Sequence, residues 1–510
     1  MKADRDHGWS LTRVFAAAIL ANLAPVIWFT FLPTRDGPTH TYTAALIRSV
    51  ILGRAGPAGD LVIWNPAPVP NWLGHAIMSV SGAIVGPWLA ERLLIALIVV
   101  SVPMALRYAV HSISDRSTGL EFLALPLAWG LHLHWGFYNF CLSLAMYLCS
   151  VGYWLRHRKH FGGRESAIWA LWLVLTYFAG AQALLHVFLT VAVLIGLSVD
   201  PGERFRRAVR AGVAAAPAAA LFLLFVVRRP SGLEPATVYP SALWASTNFF
   251  RLDVLHGVDQ VDHLVTVAMA AAFWCLVAWT FLRRSEAPWT RLGWLLAVVA
   301  TVDLVVLFVA PTTIGGGTLL TPREACFALL AVVLCLAAQP SRLPRPIVIA
   351  AVAMMLTCGL HVSRWTFYAD YDRAMRAMVG SAPRALEGRL FYAAPIDCEH
   401  PGRDPRTGAV CLSSGAGGYL ALARHAAQVN DYEFVTNHFP LVARQRATDG
   451  PHEWAATGGA LDSVVLWRGS LDERRAAARQ LFTGRPIGCE IPFSADLPAT
   501  LFLTSCSVRP

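Results

Sequence analysis

The sequence predicts an all-α polytopic membrane protein of about eleven helices, followed by a small C-terminal α/β domain outside the membrane. Three observations carry that prediction. Of 510 residues, 56% are hydrophobic and only 15% charged, against roughly 25% charged in soluble domains. Apolar runs near the length of about 20 residues that crosses a bilayer recur from Leu11 to Val362. Beyond Val362 such runs stop and turn residues become frequent.

Taken in order, the runs are 11–32, 88–109, 119–134, 138–155, 166–180, 182–198, 208–227, 262–282, 289–310, 322–338 and 345–362. None shows the ten-residue alternation of barrel strands, and a backbone in lipid must satisfy its own hydrogen bonds, so helices are expected. The first run is long and lacks a small-residue cleavage site, which favours a retained helix over a signal peptide. Basic residues set the orientation. Lys2, Arg5 and Arg13, the Arg156-His157-Arg158-Lys159 run, Arg204 to Arg210, Arg283-Arg284 and Arg342 to Arg345 all fall on one side of the eleven-helix scheme. That side is cytoplasmic by the positive-inside rule. The expected location is therefore the bacterial inner (plasma) membrane, with the N-terminus cytoplasmic and everything after Val362 extracytoplasmic. The net charge of +10 reflects these loops and does not point to nucleic acid, because residues 363–510 hold 16 Arg against 15 Asp or Glu.

Two domains are expected, a transmembrane domain over 1–362 and a soluble domain over 363–510. Within the first, the outer loop 33–87 is too long for a plain connection. Tyr42, Leu46, Ile47 and Val50 recur at helical spacing in 39–53, and 71–84 reads as a second interfacial helix, with Trp64 and Trp72 suited to headgroup level. The tail mixes β-like runs (389–394, 463–467, 501–505) with helical ones (419–428, 471–482). Cys398, Cys411, Cys489 and Cys506 lie in this outer part, where oxidation is allowed; of three possible connectivities local pairing suggests Cys398–Cys411 and Cys489–Cys506, and a zinc site is the competing reading, disfavoured by the lack of a CxxC spacing. Cys141, Cys149, Cys275, Cys326, Cys335 and Cys358 fall in apolar runs and read as buried hydrophobes. No P-loop is present, which argues against ATP-driven transport.

Asp36 is the principal candidate, in Arg35-Asp36-Gly37-Pro38-Thr39-His40 at the exit of the first helix. A carboxylate there is costly to hold near lipid and marks a functional position; the plain alternative is a cap for the helix that follows. His40 lies one helical turn on, placed to orient Asp36, to ligate a divalent ion or to snorkel. Glu91 and Arg92 begin the second run, and His186 sits about one turn inside the sixth. His132 and His134 suit a metal only on an extended segment, since that spacing points the rings apart on a helix.

Four stretches resemble the GT-C superfamily of membrane glycosyltransferases: the Asp36 motif in a first outer loop, the 70–92 stretch ending Gly86-Pro87-Trp88-Leu89-Ala90-Glu91-Arg92, the run Trp135-Gly136-Phe137-Tyr138-Asn139-Phe140, and the Gly-rich loop 311–321 followed by Arg323. The resemblance covers roughly residues 10–360 and implies transfer of a sugar from a polyprenyl-phosphate-linked donor to a glycan, lipid or protein acceptor. It implies Asp36 as base with His40 beside it, and Arg323 as phosphate clamp. Glu324, His134, Asn139, His186, Glu91 and Arg92 are expected around the substrate. Members often carry a second acid in the next outer loop, and here 132–139 offers His132, His134, Tyr138 and Asn139 but no carboxylate. The residue set admits a divalent metal without requiring one, and no metal ligands are assigned. Rival readings are a transporter or flippase for a lipid-linked or polar substrate, disfavoured by the lack of repeats, and a non-catalytic scaffold of an envelope-assembly complex.

Overall fold

A computed structural model describes residues 2–115, 117–197, 201–228, 237–258, 262–283, 288–314, 319–396, 413–436, 439–444, 461–482 and 485–506. The chain is mostly helical and divides into two compact units. The first comprises Met1–Ala24, Ile95–Leu133 and Tyr138–Arg364; the second comprises Pro25–Leu94, His134–Phe137 and Trp365–Pro510. Among the described residues, seven helices are long and apolar enough to cross a membrane: Leu11–Trp28, Pro87–Ile113, Gly202–Val227, His263–Leu282, Arg291–Val309, Leu320–Ala337 and Pro346–Gly380.

The expected runs 138–155, 166–180 and 182–198 are helices too, at Tyr138–His157, Gly163–Ala179 and Ala181–Gly196. The expected run 119–134 is not one helix. It breaks into a 3₁₀ turn at Leu120–Leu123 and single α-turns at Ala124–Leu127 and Leu131–His134. Pro126 supplies no N–H, and a Cβ at Gly130 would lie 2.2 Å from the Val254 carbonyl, so backbone passes where a side chain cannot. The stretch is nonetheless buried, the condition under which irregular backbone is tolerated at membrane depth.

In the first unit, Leu320–Ala337 is buried along nearly all its length and packs closely with Arg291–Val309. Arg364 is fully buried and donates through Nε to Asp262 Oδ2 at 2.7 Å, and through its other nitrogens to the carbonyls of Trp129 and Leu255. Asp262 also accepts from the N–H groups of Gly257 and Val258, at 3.0 and 3.1 Å. A buried guanidinium and carboxylate thereby satisfy a loop backbone as well as each other, the condition under which a buried ion pair is tolerable.

The second unit carries the strands β1 (Val62–Trp64), β2 (Leu390–Pro395), β3 (Ala427–Gln428), β4 (Leu441–Ala443), β5 (Ser463–Trp467), β6 (Cys489–Phe493) and β7 (Ala499–Leu503). Five form one sheet in the order β3-β2-β5-β7-β6, parallel across β3, β2 and β5 and antiparallel beyond. β1 pairs antiparallel with β4, Val62 opposite Ala443. Cys489 and Cys506 form a disulfide with Cα atoms 5.2 Å apart; Cys398 and Cys411 lie outside the described residues, as does Gly315-Gly316-Gly317.

This unit is larger than the expected tail because the 33–87 loop shares its core. Tyr42, Leu46, Ile47 and Val62 are buried in one cluster with Tyr419, Leu420, Val465 and Leu501. The expected interfacial helices are Gly37–Ile51 and Leu73–Val85, and the first is buried on all sides from Gly37 to Ala44.

Candidate functional site

The approach to Asp36 is held by its backbone. Asp372 Oδ1 accepts the N–H groups of Thr30 and Phe31 at 3.0 and 2.8 Å. The N–H groups of Arg35 and Asp36 then donate to the carbonyls of His134 and Trp135 at 2.8 and 3.1 Å. Gly136 makes that contact feasible: its φ is +80°, and a Cβ there would fall 2.5 Å from Gly37 N and 2.8 Å from Asp36 N. On the other side Gly418 brings the Ala416–Arg424 helix against Pro38, where a Cβ would meet the Pro38 carbonyl at 2.4 Å.

Asp36 occupies the N-cap position of Gly37–Ile51, yet its side chain makes no capping hydrogen bond. The carboxylate is 16% exposed, and Arg35 Nε stands 3.8 Å away. The Arg35 guanidinium lies 4.5 Å over the Trp135 ring, and its Nε donates to Ser414 at 3.3 Å. Burial pushes the Asp36 carboxyl above its ordinary range; Arg35, His40 and a hydrogen bond from Tyr432 pull it back only partly.

One turn on, His40 is buried and its Nδ1 faces Glu433 Oε1. His75, from Leu73–Val85, brings Nε2 to 3.1 and 3.2 Å from the two Glu433 oxygens, while its Nδ1 lies 3.2 Å from the Asn71 carbonyl. Glu433 stands on the short helix Tyr432–Val435, whose N-cap Asp431 accepts the Glu433 N–H at 3.0 Å. Burial pushes the Glu433 carboxyl up, but the imidazoles of His75 and His40 outweigh it and hold the group well below the usual carboxylate range. The reverse holds for His40: burial lowers it, and Glu433 more than offsets that, so its imidazole is raised. Asp431 is pushed well up, first by burial and then by Glu433. The ligand-capable atoms of His40, His75 and Glu433 all lie within 4.8 Å of one another.

The other expected residues of this unit have partners. His134 Nε2 lies 2.7 Å from the Tyr368 hydroxyl, and Tyr419 donates to Glu91 at 2.7 Å. Arg92 donates to the Val26 and Ile27 carbonyls at 2.8 to 3.1 Å, where the Ala24–Trp28 helix leaves carbonyls without intrahelical partners. His40 does not snorkel, and His132 and His134 make no metal pair: they sit on a single helical turn, and His132 Nδ1 lies 3.6 Å from Cys326 Sγ.

The first unit holds Asn139, His186, Arg323 and Glu324. His186 is clasped between carboxylates, with Nδ1 at 3.0 Å from Asp303 and Nε2 at 2.6 Å from Glu324. Gln182 donates to the second Glu324 oxygen at 2.6 Å, and Phe327 stacks on the imidazole at 4.1 Å. Arg323 lies 5.5 Å over the Phe140 ring, next in sequence to the buried Asn139.

Glu433, His75 and Asp303 are the residues that sequence reasoning missed. Asp303 carried a signal, a charge inside an apolar run. Glu433 and His75 carried none, since each is unremarkable until the fold brings them together.

No protein-family model matches the chain, and no curated protein matches it in sequence. Among solved structures, ArnT from Cupriavidus metallidurans, bound to undecaprenyl phosphate, superposes with a TM-score of 0.55 at 13% identity, covering 99% of each chain. The archaeal oligosaccharyltransferase AglB from Archaeoglobus fulgidus, in complex with an inhibitory peptide and a dolichol-phosphate, gives a TM-score of 0.40 at 14% identity, over 98% of this chain and 75% of that one. The likeness to ArnT is one of fold, and the fold is the GT-C fold that the sequence motifs resemble.

Proposed function

We infer that the chain transfers a sugar from a polyprenyl-phosphate-linked donor to a glycan, lipid or protein acceptor at the extracytoplasmic face of the bacterial inner membrane. The observation that carries this reading is Asp36: a half-buried carboxylate at a helix start that does not cap its helix and whose backbone is held by carbonyls on one side and glycine-permitted packing on the other. The shared fold with ArnT, itself bound to undecaprenyl phosphate, supports a lipid-phosphate donor.

In the proposed reaction the acceptor hydroxyl attacks the anomeric carbon. Its proton passes to an Asp36 oxygen, the bond from that carbon to the phosphate oxygen breaks, and the electron pair leaves with the polyprenyl phosphate. A general base contributes about 10²–10⁴-fold. The raised Asp36 carboxyl is a stronger base than an exposed aspartate once ionised. Arg323, in the first unit, remains a separately proposed phosphate ligand, because a guanidinium fork can match phosphate oxygens bidentately. His40, His134, Glu91 and Arg92 in the second unit, and separately Asn139, His186 and Glu324 in the first, remain proposed substrate-binding residues. Eleven crossings also remain the proposal, with 119–134 crossing as protein-buried short turns.

The test is sugar transfer in membranes from a panel of radiolabelled polyprenyl-phosphate sugars, comparing wild type with Asp36→Asn at matched expression. Transfer by the wild type alone supports the reading. Equal transfer by both removes Asp36 as base, and a fully inserted chain that transfers nothing to any supplied acceptor favours transport or scaffolding.

A further inference from the structure

We propose that His40, His75 and Glu433 bind one divalent transition-metal ion of the zinc class. The site stands on its own geometry and does not rest on the transfer reaction. Three buried donors converge from separate segments, the helices Gly37–Ile51 and Leu73–Val85 and the Tyr432–Val435 turn. Tetrahedral coordination with bonds of about 2.1 Å sets ligand atoms about 3.4 Å apart. His75 Nε2 and Glu433 Oε1 are 3.1 Å apart, and all three ligand atoms fall within 4.8 Å, so small side-chain adjustments suffice to close the site.

The surroundings are those a metal site needs. His75 turns Nδ1 toward the Asn71 carbonyl, which fits a proton on that nitrogen and an Nε2 lone pair directed at an ion beside Glu433. The His40 and His75 rings stand edge to face at 86°, so their lone pairs reach the carboxylate from different directions. Phe439 packs against both rings, at 5.9 and 5.5 Å between centroids, and His40, His75 and Glu433 are all buried. Asp431 holds Glu433 by its backbone N–H. Two imidazoles with a single carboxylate exclude a calcium- or magnesium-type site, which takes oxygen ligands, and suit zinc or its borderline neighbours. Three protein ligands leave a fourth position for a water or another small ligand. With two neutral imidazoles and one carboxylate around a divalent ion the cluster carries +1, and Asp36 and Asp431 are both near enough to Glu433 to interact with its charge. The ion's role is to tie the two loop helices to the C-terminal segment, which also sets the helix that begins at Asp36.

The experiment uses the full-length chain purified in detergent micelles, stripped with a chelator and dialysed. Titration with Co²⁺ is expected to give the visible absorption of a four-coordinate site, saturating at one equivalent and bleached by Zn²⁺. His75→Ala and Glu433→Gln should each weaken binding by more than about 100-fold, since a lost ligand costs at least as much as a lost supporting contact. In the stripped wild type Zn²⁺ should raise Tm and a chelator should reverse the rise, a readout that stands even where a variant fails to fold. Absence of both the Co²⁺ bands and the Zn²⁺ shift in the wild type overturns the site, and so does wild-type binding in both variants. Every readout is taken without sugar donor, so a chain that binds the ion yet transfers nothing sinks the transfer reading and leaves this one standing.

Discussion

Asp36 and Gly136 divide the work of one short stretch between charge and space. Asp36 supplies the carboxylate, and Gly136 lets the His134-Trp135 carbonyls reach the Arg35 and Asp36 amides. Asp36→Asn keeps the shape and removes the proposed base, so transfer should fall by about 10²–10⁴-fold with thermal stability unchanged. Gly136→Ala acts through position alone. Its methyl would meet Gly37 N at 2.5 Å, and φ is +80°; displacing the site by about 1 Å costs on the order of 10²-fold in rate. The expected signature is a fall in kcat with Asp36 still in place, read alongside Tm to separate it from unfolding. An unchanged kcat in Gly136→Ala would show that the backbone clamp does not position Asp36.

The elements of the second unit are held by short, local devices that can be tested singly. Helix Leu471–Leu481 begins with a capping box: Ser470 accepts from the Glu473 N–H at 3.2 Å, and the Glu473 side chain accepts from the Ser470 N–H at 2.6 Å. Ser470→Ala should cost about 1 kcal/mol in a denaturant or thermal assay of this unit's unfolding. The Cys489–Cys506 bond closes a separation of 17 residues across the ends of the β6–β7 hairpin. A loop of that size limits the unfolded chain by about 3 kcal/mol, so Cys489→Ser/Cys506→Ser should lower Tm while leaving the hairpin's residue pairing in place. A larger loss, with the sheet gone, would mean that the bond holds more than its own hairpin.

For the molecule as a whole the governing facts are apolar helices and the few charges set among them. Arg364 and Asp262 are both fully buried in the first unit. Replacing Arg364 leaves the buried Asp262 carboxylate with only His256 and the Gly257 and Val258 N–H groups, and breaking a buried pair in this way costs about 3–5 kcal/mol. Arg364→Met should therefore lower the thermal stability of purified protein far more than a change at an exposed arginine, and Arg364→Met/Asp262→Leu should recover part of the loss. Failure of the double variant to recover any would show that the backbone groups the pair satisfies, the Trp129 and Leu255 carbonyls and the Gly257 and Val258 N–H groups, set the cost rather than the charge. The proposed orientation is tested at the same scale. A phosphatase reporter, active only outside the cytoplasm, should be active when fused after Val362, and a fluorescent reporter folded only in the cytoplasm should be dark there.

What the sequence by itself determined was the helical, membrane-crossing character of the chain, the GT-C fold it resembles and the placement of Asp36 at the start of a helix. These are local properties: hydropathy is summed over about 20 neighbouring residues, and Gly37-Pro38 marks a helix start by its own backbone chemistry. The broken 119–134 stretch shows the limit of that logic, since composition reports burial while Pro126 and the Gly130–Val254 approach decide continuity. Only the tertiary structure decided the partners. Glu433 meets His40 across 393 residues and His75 across 358, and no spacing rule spans such distances. The same is true of His186 between Asp303 and Glu324, 117 and 138 residues away. Buried polar groups must find partners wherever the packed chain brings them, so their chemistry is settled by packing rather than by periodicity.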